Sequence, residues 1–144
     1  MTNAFVQPYL FFGGRCEEAL AFYGKALGAK IDTISKYSDM PEPPPPGRLA
    51  PGFEKKVMHC QFRVGDSLIM ASDGCGDADK TADGFKLALS VATESDADRI
   101  FAALSEGGEV AMPLSKTFWS KKFGMLTDRF GIQWMVNLAA EPGK

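Results

Sequence analysis

Cys16-Glu17-Glu18-Ala19-Leu20-Ala21-Phe22-Tyr23-Gly24-Lys25-Ala26-Leu27-Gly28 is the most informative run in this 144-residue chain. Ala19, Leu20, Tyr23, Ala26 and Leu27 recur at three- and four-residue spacing, the apolar stripe of a helix. Glu17 and Glu18 fall in its first turn, where carboxylates complement the positive end of the helix dipole. Gly28 is placed to end it. Strand-like sequence flanks the helix. Upstream, Ala4 to Phe12 is mostly apolar and aromatic and stops at Gly13-Gly14; downstream, Lys30 to Tyr37 reads as a second strand. Val57 to Val64 and Ser67 to Asp73 are two more, joined by Gly65-Asp66, a two-residue hairpin signal with glycine first. Met58, Cys60, Phe62 and Val64 alternate with His59, Gln61 and Arg63. One face of that strand is therefore apolar and the other polar.

The order then repeats. Gly74 to Gly84, rich in Gly and Asp, reads as a linker, and Phe85 to Ala92 as a strand. Ser95 is the expected helix N-cap, with Asp98 as its acidic partner three residues on. Ala97, Ile100, Phe101 and Leu104 make the apolar stripe, and Gly107-Gly108 closes the helix. Glu109 to Met112, Phe123 to Thr127 and Ile132 to Asn137 follow as strands, the last two joined by Asp128-Arg129-Phe130-Gly131. The helix exits correspond loosely, Ala26 to Ile31 against Ala103 to Val110. Each half thus reads strand–helix–strand–strand–strand. The expectation is an α+β fold of tandem βαβββ modules in a single 1–144 domain: module 1 about 4–73, linker 74–84, module 2 about 85–138.

Composition narrows the function classes. With 16 Lys+Arg against 18 Asp+Glu and no basic cluster, a nucleic-acid partner is not expected, because backbone binding needs concentrated positive charge. No apolar run approaches the roughly 18 residues of a membrane span. Met1 to Phe5 has neither a basic region nor an apolar core, so no secretory signal is expected and the location is read as cytoplasmic. Cys16, Cys60 and Cys75 are an odd set without CxxC spacing, which suits free thiols. His59 is the one histidine, too few to complete a four-ligand structural zinc site with scattered thiols. Pro41-Glu42-Pro43-Pro44-Pro45-Pro46-Gly47 suits an exposed polyproline-like loop, either a stiff surface segment or a PxxP ligand for a protein partner.

The tandem βαβββ pattern resembles the vicinal oxygen chelate superfamily of glyoxalases, bleomycin-resistance proteins and dioxygenases, and within it the PhnB-like branch. The residues that carry this are Pro8-Tyr9-Leu10-Phe11-Phe12, Cys16 to Leu20 with Phe22-Tyr23, Met58-His59, and Gly65-Asp66-Ser67. Met112-Pro113-Leu114, Thr117-Phe118-Trp119 and Asp128 to Asn137 complete the set. The resemblance implies a glyoxalase-like fold, with curved mixed sheets around a cavity, and a homodimer. It also implies a divalent metal acting as a Lewis acid on substrate oxygens. Carried over residue by residue, however, the ligand positions fall on Pro8, Lys86 and Met135. Proline has no side-chain donor, and a free lysine with a pKa near ~10.4 is a poor ligand at neutral pH. Around the end of module 1 only Asp73, beside Met70 and Ser72, is an ordinary oxygen ligand. No metal or other cofactor is therefore expected. Branch members often carry a ubiquinone-methyltransferase label; no glycine fingerprint for a nucleotide-like methyl donor accompanies it here.

What remains is a polar lining. Strand periodicity places Lys86, Ala88 and Ser90 on one face and Leu87, Leu89 and Val91 on the other. Gln133, Met135 and Asn137 likewise oppose Ile132, Trp134 and Val136. With His59, Gln61 and Arg63 on the same cavity, such a lining suits a small polar or anionic ligand. Trp119 is placed to close a cavity mouth or to pack. His59, with an unperturbed pKa near neutrality, is a candidate base, or a strand histidine bonded to a neighbour. Arg63 and Lys86 are candidate anion contacts or solvated charges. Cys16, at a helix start, is either an activated thiol or a packing residue. The expected function is small-molecule binding. The alternatives are a metal-dependent or His59-based enzyme of lyase, isomerase or dioxygenase type, and an interaction protein using the proline loop.

Overall fold

The computed structural model of the chain describes residues 4, 6–42, 49–74 and 83–139. The proline run from residue 43 onward and Cys75 lie outside the described residues. The chain forms two compact units, Met1–Lys80 and Thr81–Lys144.

The first unit contains β1 (Tyr9–Phe11), α1 (Cys16–Leu27), β2 (Lys30–Lys36), β3 (Val57–Val64) and β4 (Ser67–Ser72). Its sheet runs β1-β4-β3-β2, with β1 parallel to β4 and the other pairs antiparallel. β1 is much shorter than the expected Ala4 to Phe12. Pro8 lacks an N–H and so cannot extend the donor ladder, although its carbonyl still accepts from the Met70 N–H at 3.0 Å. The β3–β4 turn has Gly65 at φ +57°, the left-handed backbone that a two-residue hairpin requires of its first position. α1 buries Cys16, Ala19, Leu20, Tyr23 and Ala26. Tyr23 stacks on Phe62 with centroids 6.1 Å apart, and the Cys16 and Cys60 sulfurs lie 3.8 Å apart. Burial of each large apolar side chain contributes about 1.5–3 kcal/mol. The face of β3 carrying Cys60 and Phe62 is therefore the one beneath α1.

A buried carboxylate ties this unit together. Asp73 Oδ1 accepts from the N–H groups of Gly14 and Cys16, each at 2.8 Å, and Oδ2 accepts from the Val57 N–H at 2.8 Å. One side chain thereby satisfies donors at the start of α1 and fixes the start of β3 to the end of β4.

The second unit repeats the plan with β5 (Leu87–Val91), α2 (Glu94–Ser105), β6 (Glu109–Ser115), β7 (Phe123–Thr127) and β8 (Gln133–Leu138), in the order β5-β8-β7-β6. β5 is parallel to β8 and the remaining pairs are antiparallel. Three details differ from the sequence reading. Lys86 precedes β5 instead of lying within it. The N-cap of α2 is Thr93, whose Oγ1 accepts from the Asp96 N–H at 3.1 Å; Ser95 is already helical, and Asp98 pairs with Lys122 at 2.5 Å. Thr93 wins because its extended backbone (φ −127°, ψ 152°) aims the hydroxyl at the first turn. β6 runs on to Ser115 through Pro113, tolerated because β6 is an edge strand and its register shifts around that point.

Here too a buried aspartate closes a corner. Asp128 Oδ1 accepts from the Phe130 and Ile132 N–H groups at 2.9 and 3.1 Å, and Oδ2 accepts from Trp134 Nε1–H at 2.9 Å. Trp134, Val136 and Leu126 are buried on the α2 side with Ile100, Phe101 and Leu104. No helix among the described residues is long and apolar enough to cross a membrane.

Candidate functional site

Each sheet has one face under its helix, which leaves the other face to be accounted for. In the first unit that face carries His59, Gln61 and Arg63 from β3, Met70 from β4, and Tyr9 and Phe11 from β1; cross-strand register pairs Gln61 with Met70 and Met70 with Tyr9. His59 is the hub. Its Nδ1 lies 3.0 Å from the Tyr9 hydroxyl, and its Nε2 receives the Gln61 Nε2–H at 3.5 Å. With Gln61 as donor, the imidazole proton sits on Nδ1 and is donated to Tyr9 Oη, which frees the phenolic proton for another acceptor. Burial raises the Tyr9 phenol above its ordinary range, partly offset by a hydrogen bond with the Ser72 side chain. Tyr9 also stacks on Phe11 at 4.9 Å, and Phe11 is 65% exposed.

Tyr9 and Phe11 are part of this cluster but not of the sequence-derived set. Their positions at i and i+2 of one strand were the available signal. Arg63 shares the face, but its Nε donates to Asp32 Oδ2 on β2 at 2.8 Å. Cys16 is fully buried, and its thiol is pushed up by the hydrogen bond with Cys60 and by burial. That is the packing reading, since a reactive thiol needs exposure and a lowered pKa.

In the second unit the corresponding face carries Gln133, Met135 and Asn137 from β8, with Ala88 and Ser90 from β5 and Met125 and Thr127 from β7 as cross-strand partners. The Lys86 ammonium donates to Gln133 Oε1 across the β5–β8 edge. Ser90 pairs in register with Asn137. Trp119, in the β6–β7 connection, is 56% exposed and packs edge-on against Phe118 and Phe123, with centroids 4.7 and 5.3 Å apart. Asn137 Oδ1 is buried and has no hydrogen-bond partner among the described residues.

The donor set does not suit a metal of the kind the resemblance implies. Asp73, the ordinary oxygen ligand near the expected position, commits both oxygens to backbone N–H groups. Both His59 ring nitrogens have neighbours in the Tyr9–Gln61 chain. Among the described residues, no group of three or more His, Cys, Asp and Glu side chains gathers into a possible site.

Residues 4–137 match the family described as 3-demethylubiquinone-9 3-methyltransferase. The chain belongs to that family. It is 32% identical to Protein YjdN of Escherichia coli (strain K12), over 94% of this chain and 96% of that one. Protein PA1353 from Pseudomonas aeruginosa superposes with a TM-score of 0.82 at 38% identity, covering 96% of this chain and all of its own. A PhnB protein from Bacillus cereus, under the same methyltransferase description, gives 0.78 at 30% identity, over 94% of this chain and all of that one. The fold extends to the fosfomycin resistance protein FosX from Listeria monocytogenes, with a TM-score of 0.65 at 12% identity over 97% and 96% of the two chains. These neighbours identify the two-module α+β architecture as glyoxalase-like and the family as PhnB-like.

Proposed function

We propose that this PhnB-like protein is a small-molecule-binding member of the vicinal oxygen chelate superfamily that works without the usual metal and takes a small polar or anionic ligand. The observation that carries the reading is the pair of non-helical sheet faces. Each has an apolar floor of Met70 or Met135 and a few placed hydrogen-bonding groups: Tyr9, His59 and Gln61 on one, Lys86, Gln133, Ser90 and Asn137 on the other. Sparse polar groups on an apolar floor are how small-ligand sites achieve orientation and selectivity. Lys86 supplies positive charge for an anionic group, and Arg63 contributes less because Asp32 already neutralises it. Trp119 offers an exposed ring beside the second face. The methyltransferase description is not adopted as an activity, because no glycine fingerprint for a methyl donor accompanies it. The working form is expected to be a cytoplasmic homodimer, which sedimentation of the purified protein would register as twice the 15.6 kDa of one chain.

The test is a thermal-shift screen of carboxylates and phosphonates, since a ligand of the folded state raises the melting temperature as its concentration exceeds its dissociation constant. Several carboxylates or phosphonates raising it, and Lys86→Met abolishing the effect, is the expected result. A uniformly flat screen would sink the reading.

The Tyr9–His59 hydrogen bond favours one second reading, an enzyme in which His59 moves a proton to or from a polar substrate. His59→Gln separates the two. General acid–base catalysis loses roughly 10²-fold or more in turnover without its base, whereas a binding site changes affinity only modestly.

A further inference from the structure

Phe11 is a large apolar side chain in a strand, yet it is 65% exposed. A lone exposed phenylalanine would need no explanation, but this one is part of a stack. Its ring lies close to parallel with that of Tyr9, at an interplanar angle of 25° and with centroids 4.9 Å apart. That contact covers one face of Phe11. A ring with one face covered and still 65% exposed keeps its other face open to solvent. Tyr9 is itself held at its phenol end, where His59 Nδ1 lies 3.0 Å from Oη. Backbone pairing fixes both residues. Tyr9 is in register with Met70 and Phe11 with Ser72, and the adjoining Phe12 N–H donates to the Ser72 carbonyl at 2.9 Å. The stack is therefore braced before anything binds, which removes much of the ordering cost of using it. A second exposed aromatic pair has a different geometry. Phe118 and Trp119 meet edge to face at 83°, an arrangement with no parallel stack to extend.

We propose that the open face of Phe11 is a stacking site, and that this sheet face of the first unit takes a small molecule carrying a planar aromatic ring. The proposal rests on the small-ligand reading above and adds to it the class of ligand for this face. The bound ring becomes the third member of the Tyr9–Phe11 stack, in the offset parallel arrangement that aromatic faces favour. Such a ligand gains in two ways. It removes from water the apolar ring surface that Phe11 leaves wet, and it adds the stacking attraction between two flat π-systems. A saturated ring of the same size gains only the first, and its puckered shape touches a flat face at fewer points. Selectivity for planar aromatic rings over saturated ones follows from that difference.

Benzamide and cyclohexanecarboxamide, which share one polar group and differ only in the ring, are the probes. NMR titration of the full-length protein is expected to show benzamide binding roughly fivefold tighter, with nuclear Overhauser contacts to the Phe11 ring protons. Phe11→Leu keeps apolar surface at an exposed position and should fold as the parent does, yet bring the two affinities together. Tyr9→Phe keeps the stacked ring and should retain the preference; its loss there would assign the preference to the phenol hydroxyl and overturn the stack. Equal affinity of the two amides for the parent protein, or no binding by either, also overturns the stacking site. The anion site at Lys86 is untouched by that result, because the carboxylate and phosphonate screen tests it separately. A preference that survives Phe11→Leu and disappears in Phe118→Leu overturns the assignment of Phe11. A Phe11→Leu protein that sediments at half the parent's mass overturns it as well, since the open ring would then belong to a contact between two copies of the chain.

Discussion

Asp73 shows how much one side chain can organise. Its carboxylate accepts three backbone N–H groups from two separate segments, the entry to α1 and the start of β3. Asp73→Ala leaves those donors buried without partners, and the expected loss is about 3 kcal/mol or more in urea unfolding. Asp73→Asn keeps one acceptor oxygen and should fall between the two. A variant as stable as the parent would show that water replaces the carboxylate. Tyr9 makes a prediction of opposite character. Its folded-state pKa is raised, chiefly by burial, so its contribution to stability is fully present below the unfolded tyrosine pKa. That contribution is lost as pH rises through the folded value. Tyr9→Phe removes this ionisation, and its stability should fall less than the parent's across the alkaline range above ~10. Parallel denaturation curves for the two at every alkaline pH would refute it.

At the scale of elements, two glycines hold the second unit at close range. A Cβ on Gly124 of β7 would lie 2.8 Å from Phe101 Cε2 of α2 and 2.9 Å from the Met112 carbonyl oxygen of β6. A Cβ on Gly108, just before β6, would lie 2.1 Å from the Thr127 carbonyl oxygen. Both positions face backbone, which cannot turn aside as Phe101 can, and the approach at Gly108 is much the closer. Gly108→Ala is therefore expected to destabilise by about 3 kcal/mol and to exceed Gly124→Ala in thermal denaturation. The cap of α2 makes a smaller claim. Thr93→Ala removes the hydroxyl that receives the Asp96 N–H and should destabilise by about 1 kcal/mol, while Ser95→Ala, within the helix, should be near neutral.

For the whole molecule the informative measurement is metal analysis of chelator-treated, untagged protein, with thermal shifts in Ni²⁺, Zn²⁺, Mn²⁺ and Fe²⁺. Pro8, Lys86 and Met135 stand at the positions where the resemblance places ligands, and Asp73 is engaged with backbone. The expected outcome is no stoichiometric metal and no shift. A metal whose stabilisation disappears in His59→Gln would revive the metal-dependent alternative. The tandem architecture itself was legible from the amino-acid order, because helical and strand periods record which face of each element is apolar. The Cys16–Leu27 stripe, the β3 alternation and the Gln133–Asn137 alternation all survive in the structure, since exposing any of those apolar faces would forfeit several side chains of burial. Boundaries were less legible. The length of β1 depends on where Pro8 meets β4, and the α2 cap on whether Thr93 or Ser95 has the extended backbone. Neither is a property of local composition. Which side chains share a face thus follows from residue order alone, through the two-residue period of a strand. What they do there depends on the folded neighbours. His59 joined Tyr9, Arg63 was neutralised by Asp32, and Asn137 Oδ1 found no partner among the described residues. Each outcome depends on a neighbour brought in by a cross-strand register or a different strand, and pairing across strands is set by packing of the whole unit.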